Sequence, residues 1–114
     1  VIYIAGPMTG IPDFNYPMFN VVAQHLRGLG HKVQNPAEND GGSSDKPWQF
    51  YMRLALRQLL DCDEVMLLPG WQNSRGARIE ESVARALGMT VREWGRLTGP
   101  RFRRASRRET DAHQ

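Results

Sequence analysis

The chain has one cysteine, Cys62, in 114 residues. No internal disulfide can form, and no Cys/His cluster has zinc-ligand spacing, so neither device supplements the core. Cys62 reads as a small buried hydrophobe. No run of 18 apolar residues occurs, which leaves no candidate for a membrane-spanning helix. Residues 1–5 lack the basic flank and cleavage site of a signal peptide, and the expected location is the cytoplasm. Neither the dinucleotide fingerprint G-x-G-x-x-G nor a Walker sequence with Gly-Lys-Ser/Thr is present, so hydride transfer and ATP hydrolysis lose support. Internal repeats and low-complexity tracts are missing as well.

What is there begins with charge. The net charge is +3, but residues 96–114 hold six arginines against Glu109 and Asp111, which leaves residues 1–95 slightly acidic. That tail contains Gly99-Pro100 and almost no apolar periodicity, and reads as a flexible basic extension. It is either a solvated terminus or a contact for nucleic acid or a neighbouring subunit; the rest of the chain offers nucleic acid no partner surface. With 40% hydrophobic residues, residues 1–95 suffice for one domain around one core.

Residues 1–5 form a short β-branched and aromatic run stopped by Gly6-Pro7, a buried strand. After a loop over residues 6–14, Asn15 is a candidate N-cap with Pro17 in the first helical turn. Phe19, Val22, Ala23, Leu26 and Leu29 then make an apolar stripe that ends at Gly30. Residues 31–35 are a second strand closed by Pro36, followed by a polar loop over residues 37–46 long enough to be a lid. Pro47 opens a second helix whose face carries Trp48, Tyr51, Met52, Ala55 and Leu59. Residues 64–68 are a third strand whose continuous Val-Met-Leu-Leu run is of the kind buried on both faces of a parallel sheet. A third helix, capped by Gly88, and a strand over residues 89–94 complete a β-α-β-α-β-α-β order. The pattern predicts a single-domain, doubly wound parallel sheet of the flavodoxin or Rossmann kind, with four to five strands and helices on both faces. Ligands of such sheets bind outside the carboxyl ends of the strands.

The third helix places a carboxylate where a hydrophobic side chain belongs. If it runs over residues 74–87, then Gly76, Glu80, Val83, Ala84 and Leu87 share one face and Glu80 points inward. Arg78, Glu81 and Arg85 fall on the solvated side, where Glu81 and Arg85 can pair. An inward carboxylate costs desolvation free energy unless a site uses it or a partner satisfies it. Ahead of it, the Ser74 hydroxyl, the Arg75 charge and the free N–H groups of Gly76 and Ala77 make an anion pocket suited to phosphate, although Ser74 also reads as an ordinary cap. The glycines of Gly6-Pro7-Met8-Thr9-Gly10 mark either a tight strand exit or a close approach of backbone to ligand.

Together, Ile2-Tyr3-Ile4-Ala5-Gly6-Pro7, Asp63-Glu64-Val65 and Ser74-x-Gly76-x-x-x-Glu80-x-x-x-Ala84 resemble the nucleoside 2-deoxyribosyltransferase superfamily over residues 1–94. The wording Gly-Pro-Met-Thr-Gly-Ile-Pro, Asn35-Pro36-Ala37-Glu38 and Leu68-Pro69-Gly70-Trp71 resembles its small, often phage-encoded DUF4406 branch. The resemblance implies Glu80 as a nucleophile that attacks C1′ of a deoxyribosyl group and expels the base, with Tyr3 orienting it. It also implies substrate contacts from Gly6, Pro7, Met8, Ser74, Arg75 and Gly76. Ser74 is similar to the serine of the deoxynucleoside 5′-monophosphate N-hydrolases, where transferases carry an aspartate, and implies a monophosphate substrate. The acid that family members carry on the second helix is replaced by Ala55; Asp63 is the catalytic candidate in its place, beside Asp61, although Asp63 also reads as a structural cap. The implied reaction uses no metal and no cofactor. The implied partners are a small nucleoside or nucleotide and further copies of the chain, as a homodimer or larger assembly.

Overall fold

The computed structural model describes residues 1–42 and 46–95. The basic tail over residues 96–114 lies outside the described residues. Four strands, β1 (Ile2–Ala5), β2 (Val33–Gln34), β3 (Glu64–Leu67) and β4 (Thr90–Glu93), form one parallel sheet in the order β2-β1-β3-β4. Three helices connect them: α1 (Tyr16–Gly28), α2 (Trp48–Leu60) and α3 (Arg75–Ala86). The chain steps outward from β1 to β2, then crosses back to place β3 on the other side of β1. The switch point therefore lies between β1 and β3, the expected place for a ligand in a doubly wound sheet.

Alternation along β1 and β3 builds two cores. Ile2, Ile4, Met66 and Leu68 face α1 and pack with Phe19, Val22, Ala23 and Leu26. Tyr3, Ala5, Val65 and Leu67 face the other way, toward Leu59 of α2 and Ala84 of α3. Both strands are thus covered on both sides, which is why their sequences run apolar without a break. Cys62 joins the second core, and burial pushes its thiol up to about 11, so it packs as a hydrophobe.

Several local expectations are corrected. Strand β2 spans two residues rather than five. The His31 amide is taken by the Leu26 carbonyl at the end of α1, and Asn35 turns the chain by accepting the Ala37 amide on its side chain at 3.0 Å. The start of the polar loop is no free lid, because Glu38 takes a two-pronged contact from Arg27 at 2.7 and 3.0 Å, and Asn39 exchanges amide hydrogen bonds with Gln58 at 2.7 and 2.8 Å. Residues 43–45 of that loop lie outside the described residues. In α2 only Leu59 is fully buried, since the opening turns meet α3 rather than the sheet. In α3 the inward face is Ala77, Glu80 and Ala84; Leu87 is 58% exposed because the helix has already ended and Leu87 is its C-cap.

Asn15 occupies the N-cap position of α1 but does not cap it. Asp13, Phe14 and Asn15 have φ of 54°, 52° and 60°, a short left-handed turn that costs about 1–2 kcal/mol per residue. Pro17 keeps α1 from extending back through these residues, because its ring would then lie in the helix interior, against the carbonyl four residues earlier. The left-handed backbone turns the Asn15 side chain toward the preceding loop, where it donates to the Pro7 carbonyl at 3.0 Å.

Gly6 is required by packing. A Cβ there would sit 2.7 Å from Leu68 Cβ, a separation side chains do not adopt. Gly6→Ala is therefore expected to lose about 1–3 kcal/mol of stability in urea unfolding. Combined with Leu68→Gly, which removes the crowding Cβ, it is expected to lose less than the sum of the two single changes.

Candidate active site

Tyr3 and Glu80 are 77 positions apart and meet in the second core, where the Tyr3 hydroxyl donates to Glu80 Oε2. Tyr3 comes from the central strand and is fully buried; Glu80 comes from the second turn of α3 and is 6% exposed. Helix α3 reaches this position because Ser74 caps it, its hydroxyl oxygen accepting the Ala77 amide at 3.2 Å, and because Ala77 and Ala84 are small enough to bring the helix close to the sheet.

Burial dominates the electrostatics. It pushes the Glu80 carboxyl from 4.5 up to about 7, and the hydrogen bond from Tyr3 pulls only part of the way back. The same burial, reinforced by the Glu80 charge, holds the Tyr3 hydroxyl well above its ordinary range, so Tyr3 remains a donor. Oε2 is thus held by Tyr3. A carboxylate so poorly solvated has a strong tendency to bond, either to a proton or to an electrophilic carbon.

The remaining candidates divide by position. Ser74, Arg75 and Gly76 lie at the start of α3, about one turn ahead of Glu80. The Arg75 guanidinium lies over the Trp48 indole at 4.2 Å from the ring centre, and a Cβ on Gly76 would meet Met52 Sδ at 3.4 Å. The first turns of α2 and α3 are therefore packed together at this edge. Gly6 and Pro7 leave β1 beside the loop that leaves β3, Gly6 against Leu68 and Pro7 against Gly70. The close approach at Gly6 is thus to a side chain of the neighbouring strand. Met8 departs from expectation: its side chain packs on the α1 side of the sheet, away from Glu80.

Asp63 departs further. It precedes β3 at the amino end of the sheet, two residues before Val65, the register partner of Tyr3. Its carboxylate lies 2.8 Å from the Val1 amino group and is 76% exposed. The structure does not bring it to Glu80. Asp61 is the exposed C-cap of α2, and Ala55 packs into the second core. The role of Trp48 as a platform for Arg75 was not visible in the sequence; its helical spacing marks it only as core, and no local pattern links it to a residue 27 positions on.

A neighbouring cleft of about 240 Å³ opens at the carboxyl ends of β3 and β4, lined by Pro69, Gly70, Trp71, Glu93 and Trp94. Its wall is fixed by the Trp71 indole N–H, which donates to Glu93 at 3.2 Å. Among the described residues no group of three or more His, Cys, Asp or Glu could hold a metal ion, and no helix is long and apolar enough to cross a membrane.

Residues 1–93 match the family described as a domain of unknown function, DUF4406. The chain belongs to the DUF4406 family. Among proteins of curated function none matches this DUF4406 chain. Its fold is similar to that of a solved 2-deoxyribosyltransferase from the psychrotolerant bacterium Bacillus psychrosaccharolyticus, with a TM-score of 0.64 and 22% identity, over 96% of this chain and 80% of that one. The DUF4406 domain therefore has the 2-deoxyribosyltransferase fold.

The pH dependence of stability follows from Glu80. Its native pKa of about 7 lies above the unfolded value of 4.5. Below the lower value both states hold the proton and the burial of Glu80 costs no ionisation free energy. As pH rises from there through 7, the unfolded state has released a proton that the native state retains, and stability falls by about 3 kcal/mol. Glu80→Gln keeps an acceptor for Tyr3 and removes the titration. Its urea midpoint is expected to match that of the parent near pH 4.5 and to exceed it at pH 8.

Proposed function

We propose that the chain cleaves the N-glycosidic bond of deoxynucleoside 5′-monophosphates, or transfers the deoxyribosyl group between bases, through a covalent intermediate on Glu80. The observation that carries this reading is the buried carboxyl held by one tyrosine on the switch-point side of the sheet. Oε1 bonds to C1′, the C1′–N bond breaks, and the base leaves with the electron pair and takes up a proton. Water or a second base then attacks C1′ and returns the Glu80 carboxylate, water giving a proton to solvent as it does so. Tyr3 keeps Oε2 in place through both steps and stabilises the negative charge when the carboxylate is released.

The start of α3 suits the 5′-phosphate. The Gly76 amide and the dipole of α3 favour an anion there, and the Arg75 guanidinium, over the Trp48 indole, adds a positive charge beside it. Ser74 already accepts from Ala77, and its O–H remains a donor for a phosphate oxygen. The expected assembly is a homodimer or larger, and the expected site of action is the cytoplasm.

Ala55 favours a second reading, a nucleotide-binding protein of the same fold with little turnover. At the position where the resembled enzymes carry an acid, this chain has a methyl group packed in the core. Loss of a general acid typically costs about 10²–10⁴ in rate.

Incubation with each deoxynucleoside and its 5′-monophosphate, following free base by chromatography, separates the two. Base release abolished in Glu80→Ala, with a Ser74→Ala defect confined to monophosphates, is the expected result. No base from any substrate, with a nucleotide still raising Tm, selects the binding reading. The rate of base release is further expected to rise with pH through about 7, as the carboxyl ionises.

A further inference from the structure

Two loops leave the carboxyl ends of the central strands: residues 6–15 after β1 and residues 68–74 after β3. Two glycines, Gly6 and Gly70, bring these loops close together. Gly6 lies against the Leu68 side chain, and a Cβ on Gly70 would stand 3.4 Å from Pro7 Cγ. Gly70 also has a φ of 86°, so a side chain there would be strained by backbone as well as by space. The Pro7 ring is therefore bounded by the β3 loop.

Its carbonyl is bounded by the β1 loop. Asn15 Nδ2 donates to Pro7 O at 3.0 Å, reaching back over eight residues. It can do so because its backbone is left-handed, the third such residue in succession after Asp13 and Phe14. Asparagine tolerates this conformation better than most residues, whereas phenylalanine does not. Such conformations persist only where their surroundings determine them: the Phe14 amide donates to Ile11 O at 2.9 Å and the Ile11 amide to Met8 O at 3.2 Å.

We infer that Asn15 is a positioning residue: its side-chain amide holds the Pro7 carbonyl and, through the Pro7 ring against Gly70, sets the spacing of the two loops at the carboxyl ends of β1 and β3. Its effect on turnover rests on the function proposed above. The coupling between the loops does not.

Two substitutions isolate the hydrogen bond from the backbone. Asn15→Gly takes the left-handed conformation freely and lacks the donor; Asn15→Asp tolerates that conformation and presents an acceptor where the donor was. Hydrogen exchange on the full chain is expected to accelerate in both variants over residues 8–12 and, across the Pro7 contact, over residues 70–74, with α1 unchanged. Acceleration confined to residues 8–15 overturns the inference. With deoxynucleoside 5′-monophosphates, both variants are expected to raise KM about tenfold with kcat nearly unchanged, while Asn15→Gly keeps the parent Tm. Equal losses in kcat and Tm would mark a merely structural residue and also overturn it. If the parent chain releases no base but exchange accelerates in both loops, the proposed reaction fails and the loop coupling stands.

Discussion

The hydrogen bond from Tyr3 to Glu80 is the constraint around which the second core is arranged. A carboxyl at 6% exposure survives in an apolar layer only if a donor meets it, and here β1 supplies that donor from beneath α3. Ala77 and Ala84, flanking Glu80 on the same face, let the helix approach the sheet. Capping by Ser74 then fixes where the helix starts and hence the height of Glu80 above Tyr3. Fold and site are in this sense one design: moving the helix by a single residue would rotate the carboxyl away from its donor.

Much of this was legible in the sequence, for physical reasons. A carboxylate at an inward helical position is a conflict between local pattern and burial, and such conflicts mark sites. Continuous apolar runs at residues 2–5 and 65–68 announce strands covered on both faces, and glycine and proline at their ends announce the loops. The parallel sheet follows from those signals alone. What could not be read is whatever depends on contacts between distant segments. Trp48 beneath Arg75 belongs here, as do Asn39 against Gln58 and the shortening of β2 by bonds to the end of α1.

The errors share that origin. Asn15 has the residue type of an N-cap and sits at the N-cap position, yet its left-handed backbone aims its side chain elsewhere. Asp63 carries the right functional group, but the start of a strand lies at the opposite end of a parallel sheet from the ligand crevice, and chain position within the strand decides which end a residue occupies. Met8 follows the alternation of β1 outward beyond the strand and falls on the α1 face. In each case the residue type suggested chemistry and the topology decided otherwise.

The stack of Arg75 on Trp48 has a consequence for the kind of recognition this surface can perform. A lysine in that place would carry the same charge as a mobile point, attracting any anion from many directions. A guanidinium held over an indole has one side occupied by the ring and meets hydrogen-bond acceptors only from the directions the ring leaves open. Whatever pairs with Arg75 therefore approaches it from the side away from Trp48.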